Sequence, residues 1–101
     1  VLIRADLSHI NLTGADLRCS DLRLATLHQS TLCSADLRNA NLSYTDLRGA
    51  DLRGADLRGA DLTGANLRGA VVAAAQLERA RLDRAWIDEA DPQPPELSST
   101  H

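Results

Sequence analysis

Residues 46–70 read DLRGA DLRGA DLRGA DLTGA NLRGA, which is one five-residue unit repeated without a gap. The same period extends in both directions along the chain. Stepping by five from Leu2 to Ile87, the position that we call central holds Leu at 16 of 18 places. Two residues earlier, the small position holds Ala at 14 of 18 places from Ala5 to Ala90. Such a repeat has to be interpreted before any other feature of the sequence.

The remaining three positions of the repeat are mostly polar. Between the small and central positions lies the acidic position, which is Asp or Asn in most repeats from Asp6 to Asn66. The two residues after the centre are the first and second turn positions. A step of five residues turns a helix by about 140° beyond a full circle, so the leucines would form no apolar stripe. In an extended chain Ala50 and Leu52 share one face and Asp51 points away. The pattern therefore predicts a short extended segment followed by a corner.

The residues of the corner favour a tight turn. Segment 52–55 reads LRGA, with Gly third, where a type II turn requires a positive φ. Asn39 and His9 occupy the same position and tolerate left-handed geometry. Leu24 and Tyr44 do not suit it, so a different turn type is predicted at those two corners.

Units such as Ala40-Asn41-Leu42 and segment 50–54 (ADLRG) resemble the A-(D/N)-L-x-x motif of the pentapeptide-repeat family. The resemblance covers roughly Leu2 to Ala90. It implies an all-β fold, a right-handed quadrilateral β-helix in which four repeats form one coil and each repeat forms one side. The central and small positions would point inward, over four to five coils.

The chain divides into two parts in this interpretation. Residues 1–90 form the β-helix, because the small and central positions stay regular to Ala90. A terminal helix over 76–89 is the alternative, since its composition is also helix-forming. Residues 91–101 are predicted to be a flexible or loosely packed tail, because the prolines that begin at Pro92 cannot donate ladder hydrogen bonds.

With twenty residues per coil, as the resemblance implies, outward side chains stack into columns. One side is then expected to carry an acidic column beside a basic one. These columns form the first candidate partner surface, made of Asp16, Asp36, Asp56, Arg18, Arg38 and Arg58. The alternative, which we favour, is a solvated face whose charges neutralise one another, since exposed pairs contribute little to stability.

The C-terminal third places apolar residues at outward positions. Val71, Ala73 and Trp86 form the second candidate surface, a dimer or cap patch, because aromatic residues concentrate at interfaces. Family resemblance implies a homodimer through the C-terminal end. The equal alternative is that Trp86 only shields the last coil.

Residues with catalytic or metal-binding chemistry are few. His28 and Cys33 are expected on adjacent sides and His9 a coil away, which gives no nucleophile and base, no zinc site and no disulfide with Cys19. We therefore expect no enzyme, no cofactor and no metal. The formal net charge of −3 argues against direct nucleic-acid binding, and no apolar run is long enough for a membrane. With two cysteines, a cytoplasmic setting is expected.

Two functions remain. The first is a structural or interaction module that presents a flat face or its C-terminal end to an unidentified protein partner. The second comes from the resemblance, which implies a bacterial DNA mimic that binds DNA gyrase, inhibiting it or protecting it from quinolones. Carboxylates would then stand where phosphates lie, at Asp16, Asp36, Asp46, Asp51, Asp56 and Asp61. The short rod and the balancing arginines weigh against this second function.

Overall fold

A computed structural model describes residues 2–87 of the chain. The expectations for residues 88–90 and for the tail 91–101 lie outside this part.

Parallel β-bridges join residues that are twenty apart, from Asp6 with Thr26 to Asn66 with Trp86. One coil is therefore twenty residues and four repeats, which confirms the right-handed quadrilateral β-helix. Each repeat contributes a single bridged residue between two corners, so the sides are isolated bridges and not long strands. The bridges continue to Trp86, so coils and not a helix occupy 76–87.

We number the four sides by their central residues. Side 1 holds Leu2, Leu22, Leu42, Leu62 and Leu82, and side 2 holds Leu7, Leu27, Leu47, Leu67 and Ile87. Side 3 holds Leu12, Leu32, Leu52 and Val72, and side 4 holds Leu17, Leu37, Leu57 and Leu77. Four coils are complete and a fifth is half formed within residues 2–87, in agreement with the expected four to five.

Leucine and alanine fill the interior. From Leu22 to Ala65 the central and small positions are almost wholly inaccessible to solvent, which confirms their predicted inward direction. Two polar residues at small positions are equally buried, and their hydroxyls donate to the preceding central carbonyl. Ser30 donates to Leu27 at 2.7 Å and Thr45 to Leu42 at 2.8 Å. Each hydroxyl therefore enters the apolar channel without an unsatisfied hydrogen bond.

Every corner from Leu2 to Ala85 closes with the same hydrogen bond, in which the small position's N–H donates to the preceding central carbonyl at 2.9–3.4 Å. The second turn position has a positive φ, as a type II turn requires. The prediction for Leu24 and Tyr44 was wrong, because their φ values are 62° and 58°. Their N–H groups donate to Ser43 and Thr63 of the next coil, so the ladder imposes the common turn on them.

Candidate interaction surface

The acidic position supports the turn that follows it. In repeat 51–55 the N–H groups of residues 51, 52 and 54 donate to neighbouring coils, and that of residue 55 closes the turn. The N–H of Arg53 alone has no backbone acceptor, and it donates to Asp51 Oδ1 at 3.2 Å. All eleven Asp and Asn residues at this position accept the equivalent N–H. The side chain thus completes the hydrogen bonding of its own repeat.

Six aspartates also hold the arginine two residues later. In one such pair, Arg58 donates from Nε and Nη2 to the two oxygens of Asp56 at 2.8 and 2.6 Å. The pairs are Asp16 with Arg18, Asp21 with Arg23, Asp36 with Arg38, Asp46 with Arg48, Asp51 with Arg53, and Asp56 with Arg58. The arginine hydrogen bonds lower the pKa of Asp16 and Asp51 to about 2. These carboxylates are therefore charged, and their oxygens already accept hydrogen bonds from the chain itself.

Side 4 brings the first predicted surface together. Bridges join Asp16 to Asp36 and Asp36 to Asp56, so the acidic column exists as expected. The arginine column lies beside it and interleaves with it, since Arg18 Nε is 3.8 Å from Asp36 Oδ2. Arg38 Nε makes the same contact with Asp56 at 3.7 Å. The arrangement neutralises the charges pair by pair, and the role of this surface toward a partner stays a prediction.

The second predicted surface spans two sides. Trp86 lies on side 2 above Asn66, with 56% of its surface exposed. The guanidinium carbon of Arg68 is 4.7 Å from the ring centroid, a cation–π contact. Val71 and Ala73 are exposed on side 3, one coil nearer the N-terminus. The patch thus flanks the corner between sides 2 and 3, which we call the Trp86 corner, near the end of the described residues. Its role as a dimer or cap contact stays a prediction.

Sequence reasoning missed an apolar ridge on the corner between sides 1 and 2. Leu24 and Tyr44 stack there at the second turn position, with 45% and 54% of their surfaces exposed. The Tyr44 ring lies over Gly64, where any Cβ would contact the ring. Twenty-residue stacking alone would have placed Leu24, Tyr44 and Gly64 in one column.

The histidine and cysteine side chains within residues 2–87 include one pair in contact. His9 and His28 lie in adjacent coils as expected, and their rings meet edge to face with centroids 5.7 Å apart. Cys19 and Cys33 are free thiols. No group of three or more metal-ligating side chains occurs in this part of the chain. Nor does this part contain a helix long and apolar enough to cross a membrane.

Comparison with known proteins agrees with the coil geometry. The family model described as pentapeptide repeats matches the chain with eight copies that together span residues 1–91. No match was found among curated proteins.

Solved structures with the same repeat are similar over most of the chain. The pentapeptide repeat protein Rfr23 from the cyanobacterium Cyanothece 51142 is 42% identical, with a TM-score of 0.84 over 85% of this chain. The chain spans only 58% of that protein's length. The alr5209 protein from Nostoc PCC 7120 is also 42% identical, with a TM-score of 0.80, over 88% of this chain and 75% of that one. HetL from Nostoc sp. strain PCC 7120, involved in heterocyst differentiation regulation, is 41% identical, with a TM-score of 0.56, over 85% of this chain and 42% of its own.

Proposed function

We propose that this chain, which belongs to the pentapeptide-repeat family, is a non-enzymatic bacterial interaction module that docks a protein partner through the corner at Trp86. The observation that carries the proposal is the exposed indole at a position where most repeats place Asp or Asn. Those residues complete the hydrogen bonding of their own turn, and Trp86 cannot. Exposed Trp86 on side 2 and exposed Val71 on the adjacent side 3 are residue types that are enriched at interface centres. The low cysteine content supports a cytoplasmic setting.

The test is a comparison of two exposed aromatic residues. A photo-crosslinking amino acid at position 73, an exposed residue of the same patch, keeps Trp86 and should capture one discrete protein. Binding of that purified protein is then measured by titration. We expect Trp86→Ala to weaken binding at least tenfold, as central interface tryptophans do. Tyr44→Ala, an equally exposed aromatic on another corner, is the matched control and should leave the Kd unchanged. Equal affinity of the Trp86 variant and the parent would refute the proposal.

A second copy of the chain is an alternative partner for the same corner. Light scattering during size-exclusion chromatography decides between them. A dimer that dissociates in the Trp86→Ala variant would assign the corner to self-association. A monomer at all concentrations would leave it to another protein.

The described geometry gives little support to the gyrase alternative. Residues 2–87 carry eleven arginines against nine aspartates and one glutamate, so this part of the chain is not acidic. The carboxylate oxygens of the six paired aspartates already accept arginine hydrogen bonds. A phosphate mimic would need these oxygens to be free to accept hydrogen bonds from its partner. We expect no inhibition of gyrase supercoiling and no protection from a fluoroquinolone at micromolar protein. Either effect would favour mimicry over our proposal.

A further inference from the structure

A groove runs along the corner between sides 4 and 1, apart from the Trp86 corner. Its volume is about 330 Å³, and it is lined by Arg38, Asn39, Arg58, Gly59 and Arg79. Three of these five residues are arginines, and none is acidic. The groove therefore offers hydrogen-bond donors on several walls and no carboxylate among its lining residues.

Arg38 and Arg58 are each fixed by an aspartate and keep N–H donors that this aspartate does not use. Asp36 and Asp56 engage the Nε and Nη2 atoms of Arg38 and Arg58. In both side chains Nη1 donates to no acceptor within residues 2–87. A guanidinium fixed along one edge presents its other N–H groups in a defined direction, which reduces the entropy lost on binding.

Arg79 is the third arginine of the groove, and it lies there because residues twenty apart stack on one another. It follows Gly59 by twenty residues, at the same second turn position and with a φ of 61°. It forms no ion pair with any residue of the described coils. Gly59 has no side chain, and a Cβ there would contact Asn39 Oδ1, so the Asn39 amide reaches across the gap below Arg79.

We propose that Arg38, Arg58 and Arg79 bind an oxyanion, a phosphate or a carboxylate group, in this groove. Arginine is suited to both because its planar donors match the spacing of their oxygens. Glu78 is the competing charge, since it stacks above Arg58 and interacts with it electrostatically. The proposal concerns a site separate from the Trp86 corner and goes beyond the docking function.

Matched variants distinguish binding in this groove from the nonspecific attraction of an anion to any exposed arginine. Arg79→Gln removes the guanidinium and its positive charge, and Gln is tolerated because Gln29 holds the same position at a φ of 57°. Arg84→Gln is the control. Arg84 also follows a glycine by twenty residues, at a φ of 60°, but it stands over Gly64 and Tyr44 and away from the arginine column. Glu78→Gln removes the competing carboxylate.

The experiment is a titration of the full chain with inorganic pyrophosphate at constant ionic strength, followed by ¹H–¹⁵N chemical shifts. We expect saturable shifts at residues 38–39, 58–59 and 79. Arg79→Gln should weaken binding about tenfold, the usual effect of losing one charged hydrogen bond. Glu78→Gln should tighten it, and Arg84→Gln should change nothing.

Shifts that grow linearly without saturation, or an equal loss in the Arg79 and Arg84 variants, would overturn the proposal. A parallel titration with citrate identifies the source of the oxyanion. Saturable binding of pyrophosphate alone would assign a phosphate ligand. Equal binding of citrate would assign carboxylates.

Discussion

At the residue scale, eleven corners hold a positive φ of 57–62° on a residue other than glycine. For an L-residue this geometry costs about 1–2 kcal/mol. The hydrogen bonds between coils on both sides of each corner offset this cost, because they hold the backbone in the turn conformation. Glycine is thus favourable at the second turn position but not required, which is why Leu24 and Tyr44 adopt the turn that their identity argues against.

Two neighbouring alanines allow this strain to be measured. Ala74 holds the second turn position at a φ of 62°, whereas Ala73 at the first turn position has no positive φ. Replacing either alanine with Gly raises the conformational entropy of the unfolded chain by the same amount, so this contribution cancels when the two variants are compared. We expect the free energy of unfolding of Ala74→Gly to exceed that of Ala73→Gly by about 1–2 kcal/mol. Urea denaturation of both variants gives the difference, and a value near zero would mean that the corners are unstrained.

At the scale of one coil, stability depends on a channel that is closed by the coils above and below. Leu52 and Leu12 occupy the same central position of side 3, two coils apart. Leu52 is wholly buried, and Leu12 in the first coil is only partly so. The two residues therefore differ in burial and not in chemistry.

We expect Leu52→Ala to lower the free energy of unfolding by about 2–5 kcal/mol, because it opens a cavity in a packed interior. Leu12→Ala should cost clearly less, since the first coil already exposes part of that side chain. Chemical denaturation of the two variants is the measurement. Equal costs would show that the first coil is as well packed as the third.

Most of the coil could be predicted from the sequence. The five-residue period and the alternation around each leucine establish which positions face inward, because a single pattern is repeated along the chain. The family resemblance supplied the number of repeats per coil and hence the columns of side 4. The structure confirmed the inward positions, the four repeats per coil and the stacking of side 4 into columns.

The parts that could not be predicted depend on side-chain conformation. The sequence Asp-x-Arg recurs six times, and this recurrence could have indicated the ion pairs. The hydrogen bond from the Arg53 backbone N–H to Asp51, in contrast, follows only from the geometry of the turn. The placement of Arg79 beside Arg58 was missed although stacking between adjacent coils would have indicated it, since Arg79 follows Gly59 by twenty residues. The turn at Leu24 was missed because local preference was weighed without the ladder.

At the scale of the whole molecule, stability should fall in acid. The pKa of each of the eight aspartates from Asp6 to Asp61 lies below its ordinary value, mainly because of hydrogen bonds to the residue two positions later. Between about pH 4 and pH 2 the unfolded chain therefore binds more protons than the folded one. The stabilisation is present above pH 4 and is lost as pH falls through the folded pKa values.

The expected result is a urea midpoint that is constant from pH 7 to pH 5 and declines below pH 4. A chain with Asn in place of the six arginine-paired aspartates should show a shallower decline. A midpoint that is independent of pH down to 2.5 would contradict the role assigned to these carboxylates.

The central claim is that the outward aspartates complete the hydrogen bonding of the solenoid's own turns. The most direct test compares two triple variants at pH 7, in which Asp16, Asp36 and Asp56 are all replaced by Asn or all by Ala. Asn keeps the acceptor for the backbone N–H, as Asn11, Asn41 and Asn66 already do, whereas Ala removes it. We predict that the Asn variant, which loses three arginine ion pairs but keeps the backbone acceptors, unfolds somewhat below the parent temperature. The Ala variant, which loses both, should unfold well below the Asn variant. Equal unfolding temperatures for the two variants would contradict the claim.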